Sequence, residues 1–221
     1  MIVCIADVLG AEQVERIAAA IVPAGTEDGR KTAGWHARTV KNNRQLSAAA
    51  AAPLRKIVTD ALQGNGTVRA AAQPRAFSPV LFSAYTAGMS YGAHVDDAIM
   101  RGGGLLRSDV SYTVFLAPPD SYEGGALIIE TTAGEQRYKL PAGAAILYPA
   151  TTLHRVEPVV RGERKVAVGW IQSLIREAER REILFDLDLA RRAIFARDGK
   201  SPEFDRIAKT YANLMRMWAD V

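Results

Sequence analysis

An α+β protein with a mainly β core, flanked by N-terminal helices and a C-terminal helix pair, is what the 221-residue sequence predicts. Two observations about pattern carry this. From about residue 77 to 173, short β-branched and aromatic runs (PVLFSAY, SYTVFLA, GALIIET, QRYKL, AAILYPA, KVAVGWIQ) are separated by Gly, Pro and Asp turns, as in a sandwich or barrel. On either side of that stretch, apolar residues recur at helical spacing. A third observation sets the class: 48% hydrophobic and 24% charged residues describe a globular chain with enough apolar surface for one sizeable core.

The elements follow in order. Residues 2–5 (IVCI) read as a short strand. The segment AEQVERIAAAIV places Val14, Ile17, Ala18 and Ile21 at a helical period, and Pro23 stops it. Residues 25–34 (GTEDGRKTAG) are turn formers and predict a loop. A second helix is expected over 44–63, with an alanine run at 48–52 that reflects helix propensity, and Gly64-Asn65-Gly66 ends it. After Arg176 the helical period returns, with Ile183, Leu187, Ala190 and Ile194 as its stripe, until Gly199 breaks it. Ser201-Pro202-Glu203 then supplies an N-cap, a proline at the first helical position and an acid in the first turn. Ile207, Tyr211, Leu214 and Trp218 share one face of that last helix. The expected division is therefore 1–175, containing the β core, and a helical extension over 176–221 packed on it. Tyr211, Met215 and Trp218 offer enough apolar surface for a homo-oligomer through these helices as well.

Charge and composition exclude several classes. The net charge of +4 and pI near 9.3 come from Lys and Arg scattered among acids. No basic stripe interleaved with aromatics is present, so no nucleic-acid partner is expected. No apolar run approaches the ~20 residues of a membrane span, and no membrane partner is expected. The start, MIVCIADVLG, lacks the basic and apolar regions of a secretory signal, and a lone Cys4 can form no internal disulfide. The expected location is the cytoplasm.

The chemistry-bearing residues are few. The chain has three histidines, and one of them opens the triplet His94-Val95-Asp96. In an extended chain residues i and i+2 share a face, so His94 and Asp96 can offer one nitrogen and one oxygen to a common point. His154 lies 58 residues after Asp96, beyond a strand and a Pro-containing turn, which leaves room for the chain to return across a barrel. Two neutral imidazoles and one carboxylate make the facial triad of non-haem Fe(II) oxygenases, which leaves three octahedral positions for a chelating 2-oxo acid and O₂. Arg164 opens the strand RKVAVGW, where alternation puts Arg164, Val166, Val168 and Trp170 on one face. An interior guanidinium requires an anion, and the distal carboxylate of 2-oxoglutarate matches its fork. Arg161 sits at the preceding turn and is the weaker choice.

These residues carry a resemblance. H94-x-D96, H154 and R164 in a β context resemble the 2-oxoglutarate/Fe(II) dioxygenases of the prolyl 4-hydroxylase class. The chain is more closely similar to bacterial PKHD-type hydroxylases, through DGRKTAGWHARTVKNNRQL, FSAYTAGMSYGAHVDDAIM, RSDVSYTVFLAPPDSYEGGALIIE, LPAGAAILYPATTLHRVEPVVRGERKVAVGWIQSLIR and the trailing helices. The resemblance implies a double-stranded β-helix (jelly roll), with Fe2+ on His94, Asp96 and His154. It implies 2-oxoglutarate on Arg164, O2 as second cosubstrate and L-ascorbate as reductant. It also implies hydroxylation of an unidentified substrate, a small molecule or a protein side chain, in the setting of bacterial iron uptake and homeostasis. Asp96 favours hydroxylation over halogenation, which would need that ligand position vacated for chloride.

Other residues have two readings at this stage. Tyr85 and Tyr91 either line the cosubstrate site, as the resemblance implies, or belong to the aromatic core. Trp170 either walls the pocket or fills the barrel. Asp97 and Arg155 should point away from the triad, and His36 reads as a surface histidine. Residues 97–108 (DAIMRGGGLLRS), with three consecutive glycines, and 117–124 are candidate loops at the barrel mouth, the first a candidate lid. The alternative function is a non-catalytic cupin-like metal-binding or iron-sensing protein. A cupin would show two histidines two apart and then a glutamate, and a sensor has no use for Arg164. Demethylases of alkylated nucleic acid carry a further arginine where this chain has Ile171. A zinc hydrolase leaves Arg164 unexplained.

Overall fold

The computed structural model describes residues 1–221. Its strands begin with β1 (Val3–Ile5), β2 (Thr26–Asp28), β3 (Lys41–Asn42), β4 (Arg44–Leu46), β5 (Pro74–Phe77), β6 (Leu81–Tyr85) and β7 (Ser90–His94). They continue with β8 (Ile99–Met100), β9 (Leu106–Arg107), β10 (Val110–Phe115), β11 (Tyr122–Gly124), β12 (Leu127–Thr131) and β13 (Gly134–Tyr138). The last four are β14 (Ala145–Pro149), β15 (His154–Val156), β16 (Val159–Gly162) and β17 (Arg164–Ser173). The helices are α1 (Ala11–Ala20), α2 (Ala48–Gly64), α3 (Gly66–Ala72), α4 (Ala178–Asp198) and α5 (Pro202–Trp218).

Two antiparallel sheets form the jelly roll. The larger runs β1-β14-β10-β17-β6-β4-β2, with β5 added to β17, and the smaller runs β13-β12-β15-β7-β3. Strand alternation sorts the larger sheet into two faces. Phe82, Val114, Ala167 and Ile171 pack outward against Ile17 of α1, Leu54, Val58 and Leu62 of α2 and Val68 of α3. Their neighbours Tyr85, Phe115 and Val166 face inward and meet Leu127, Ile129 and Val156 of the smaller sheet. The helices thus seal one side of a sheet whose other side lines the barrel.

Several local expectations are corrected. Residues 44–46 are strand rather than helix, because Arg44 and Gln45 pair with Ala84 and Ser83 of β6. The helix begins only after Ser47, whose hydroxyl accepts the Ala50 N–H. Gly64-Asn65-Gly66 does end α2, but Asn65 also starts α3, its side chain accepting from the Thr67 and Val68 N–H groups. The stretch 25–34 is not a plain loop: β2 pairs with β4, and Asp28 caps a 3-10 turn over Gly29–Thr32. Residues 97–108 carry the β8–β9 hairpin.

The stripe expected on α4 is displaced. Ile183 is 47% exposed, whereas Arg181, Leu184 and Asp188 are buried. The two charges are tolerated because they have partners: Arg181 donates to the Ile175 and Arg176 carbonyls, and Asp188 accepts from Arg191 and Arg192. On α5 the expected face is half-buried against neighbours, with the Tyr211 hydroxyl accepting from Gln73 and Arg180 lying over Trp218. No helix is long and apolar enough to cross a membrane.

Candidate active site

The centre of the site is built by strand register. Strands β7 and β15 are antiparallel neighbours in the smaller sheet, and their pairing sets His154 directly opposite His94. The two rings lie 4.3 Å apart between centroids. Asp96, two residues beyond His94, brings its Oδ1 to 3.9 Å from His154 Nε2. One ligand atom from each of the three residues falls within 4.8 Å of the others.

Each member is oriented by a second contact. His94 Nδ1–H donates to the Gly92 carbonyl at 2.8 Å, and His154 Nδ1–H donates to the Thr152 carbonyl at 3.0 Å. Both bonds select the tautomer with a free Nε2 lone pair on the side that faces Asp96. Asp96 Oδ2 accepts the Ser111 hydroxyl at 2.6 Å, which leaves Oδ1 for a metal. Burial, and then the neighbouring His154, pull the His94 pKa below its ordinary value, so the ring is held neutral as a metal ligand must be. The donor set and its hydrogen bonds fit a divalent cation of the imidazole- and carboxylate-binding kind.

The other end of the same cavity, which measures about 780 Å³ and opens to solvent, holds Arg164. Arg164 is 1% exposed, and its Nε and Nη1 have no partner within the protein. Tyr85 and Phe115 flank its guanidinium with ring centroids at 5.0 and 5.8 Å. A buried cation left unanswered costs several kcal/mol, so such a group is retained where a ligand supplies the anion. The residues present therefore fit a carboxylate bound at Arg164 and, through the cavity they share, a metal at the triad.

The remaining sequence candidates divide clearly. Tyr85 is buried beside Arg164, and burial raises its pKa while that cation pulls the other way. Tyr91 stacks on His94 with centroids 3.6 Å apart. Trp170 lines the cavity, and its indole N–H has no protein partner. Arg161 is exposed at the turn, 3.9 Å from Glu123. Arg155 points outward and grips Glu135 in a bidentate pair. His36 is exposed and lies edge-on to Trp35. Asp97 is exposed, yet it lines the cavity rim instead of lying apart from it.

Sequence reasoning missed Ser111, Tyr148 and Lys41. Ser111 was within reach, since alternation puts Ser111, Thr113 and Phe115 on one face of β10. Tyr148 meets the edge of His154 at 5.1 Å from a strand distant in sequence. Lys41 comes from a two-residue strand with no periodic signal.

Comparisons with known proteins agree with this geometry. Residues 80–172 match the family model of the 2OG-Fe(II) oxygenase superfamily, and residues 179–220 match that of the PKHD-type hydroxylase C-terminal domain. Among solved structures, a Pseudomonas putida prolyl-4-hydroxylase superposes with a TM-score of 0.52 at 21% identity, covering 78% of this chain and 92% of that one. HygX from Streptomyces hygroscopicus, solved with nickel, 2-oxoglutarate and hygromycin B, superposes with a TM-score of 0.54 at 15% identity, covering 80% and 84%. Fold, family model and cavity together define a 2-oxoglutarate-dependent Fe(II) dioxygenase, an enzyme class that uses Fe(II), 2-oxoglutarate and O₂. A PKHD-type hydroxylase of Synechococcus elongatus is 52% identical over the full length of both chains, and one of Acaryochloris marina is 51% identical, again over all of both. The chain belongs to the PKHD-type hydroxylase family.

Proposed function

We propose that His94, Asp96 and His154 hold Fe(II), that Arg164 holds the distal carboxylate of 2-oxoglutarate, and that the enzyme hydroxylates a C–H bond of a substrate admitted through the open side of the cavity. The observation that carries this reading is the buried Arg164 guanidinium, whose Nε and Nη1 have no protein partner in the cavity that also holds the triad. A metal sensor or a zinc hydrolase would leave that cation unexplained.

When bound, iron and 2-oxoglutarate supply the O₂-dependent oxidation of the substrate carbon. The chain's own residues position them. Gly92 and Thr152 carbonyls hold the two imidazoles in the metal-binding tautomer, and Ser111 holds Asp96. Arg164 sets the direction of the keto acid, and Tyr85 with Phe115 keeps water from that charge pair. Trp170, inward on β17, walls the same pocket. The family resemblance adds ascorbate as the reductant and iron homeostasis as the setting, and the lone Cys4 fits a reducing location, the cytoplasm.

The test is anaerobic addition of Fe(II) and 2-oxoglutarate, which should give a weak visible charge-transfer band, with slow succinate formation once air is admitted. His94→Ala should lose both the band and succinate formation. A band that survives this substitution, or wild-type protein that forms no succinate, would defeat the assignment.

A further inference from the structure

Lys41 is the cation of this cavity that neither the triad nor the cosubstrate reading uses. It lies on β3 directly across from Tyr91 on β7, lines the same cavity and is only 5% exposed. Its ammonium sits 5.0 Å from the Tyr91 ring centroid, and the opposite stacking partner of that ring is His94. A single aromatic ring therefore separates Lys41 from the metal triad.

Nothing in the protein neutralises this charge. The one hydrogen bond of Lys41 Nζ goes to the neutral Thr32 hydroxyl at 3.0 Å. No carboxylate oxygen lies within ion-pairing distance. The two acids whose fields reach it, Asp96 and Asp28, are already engaged. Asp96 faces His154 and accepts from Ser111, while Asp28 caps the 3-10 turn and neighbours Arg30. Burial pulls the Lys41 pKa down to about 8, so the side chain still carries its proton at neutral pH.

A lysine this buried is rare unless it is paired, because desolvation of an ammonium is costly. The supports of Lys41 are also fixed: the Thr32 hydroxyl lies 2.5 Å from the Gln45 amide oxygen, and Gln45 donates to Ser83 at 3.0 Å. The ammonium is thus held by a rigid neutral chain and keeps donors for an external acceptor. The keto acid is already answered by Arg164, on a different strand and in the other sheet.

We propose that Lys41 is the substrate-binding residue that anchors a carboxylate of the molecule to be hydroxylated, and that the substrate is accordingly a small carboxylic acid. This rests on the dioxygenase reading above and deepens it. The cavity favours a small molecule. Its empty space, about 780 Å³ with the solvent at its mouth included, is shared with 2-oxoglutarate, which leaves little room for a macromolecular segment. Apolar surface from Leu81, Val168 and Trp170 lines it, which suits the carbon skeleton of such an acid.

The experiment uses the full chain, loaded anaerobically with Fe(II) and saturating 2-oxoglutarate. The probes are phenylacetate and its neutral isostere phenylacetamide, whose dissociation constants are measured by calorimetry. Wild-type protein should bind phenylacetate about tenfold or more tightly than the amide, the scale of one charge-assisted hydrogen bond. Lys41→Met should erase that preference, and Lys41→Arg should retain most of it. In both variants the charge-transfer band and the KM for 2-oxoglutarate in uncoupled succinate formation should stay within about threefold of wild type, a change of at most about 0.65 kcal/mol.

Equal or undetectable binding of the two probes by wild-type protein overturns the proposal. So does a raised KM for 2-oxoglutarate in Lys41→Met, which would assign the residue to the cosubstrate. A lost band with a lowered Tm in both variants also overturns it, by making Lys41 a support for Tyr91 and His94. If wild-type protein itself shows no band, the dioxygenase reading fails instead, and the two failures are told apart.

Discussion

Buried charge gathers around both ends of strand β17, and the two ends are treated differently. At its C-terminal end, Asp109 Oδ1 accepts from Arg107 Nε at 2.7 Å and Oδ2 accepts the Ser173 N–H at 2.8 Å. Arg107 also reaches Asp220 and the Ser173 carbonyl, and Arg181 donates to the Ile175 and Arg176 carbonyls. Every charged group there has hydrogen-bond partners inside the chain. At the N-terminal end, Arg164 is buried with two unanswered nitrogens, and across the cavity Lys41 has only a neutral hydroxyl. The difference separates two uses of buried polarity. A closed network fastens the C-terminal segment to the barrel, whereas an open one is satisfied only when a ligand arrives.

The comparison breaks most readily at the closed end. Asp109→Ala removes the acceptor of a main-chain N–H and the nearer carboxylate of Arg107, so it should destabilise the fold by about 3 kcal/mol. Chemical denaturation of the metal-free protein measures this. A loss below about 1 kcal/mol would mean that Asp220 alone suffices for Arg107 and that the network is redundant.

The open end should respond in the opposite way. Arg164→Met deletes a charge that has no internal counterpart, so the metal-free protein should unfold at the same temperature as wild type or higher. The KM for 2-oxoglutarate should rise by about 100-fold, the scale of losing a buried bidentate ion pair to a ligand. Thermal unfolding and uncoupled succinate formation, measured on one preparation, give both numbers. A destabilised variant with an unchanged KM would move Arg164 from the open set to the closed one.

What the sequence revealed follows the same division. The convergence of His94, Asp96 and His154 was legible because an extended chain sets residues i and i+2 on one side and the triad chemistry asks for a third donor, and the inward placement of Arg164 was legible from alternation along β17. The barrel was legible from its turn spacing. Contacts made by charged residues across elements were not. The burial of Arg181 and Asp188 on α4 left no signal, because a helical stripe weighs residues by apolarity and cannot register partners supplied by a distant carbonyl or a neighbouring arginine. The strand at 44–46 was hidden for a related reason. Its hydrogen bonds go to β6 and β2, and neither pairing leaves a trace in the local alternation.

The smallest expected effect concerns protons at the triad. Burial and the neighbouring His154 lower the His94 pKa from its ordinary value of 6.5, so the folded, metal-free protein binds fewer protons than the unfolded chain once the pH drops below that value. The unfolded state then gains stability relative to the folded one with each step down, and the contribution of a neutral His94, complete above pH 6.5, is lost progressively as the pH falls toward the folded pKa. Between pH 7 and about 5.5 the loss should come to about 1 kcal/mol, in a window where histidines are the side chains that titrate at ordinary pKa values. His94→Gln should flatten this slope, because glutamine has no proton to take up. Iron should flatten it too, since the metal occupies the nitrogen that would otherwise be protonated. A slope that persists in His94→Gln would place the proton uptake outside His94 and overturn this assignment.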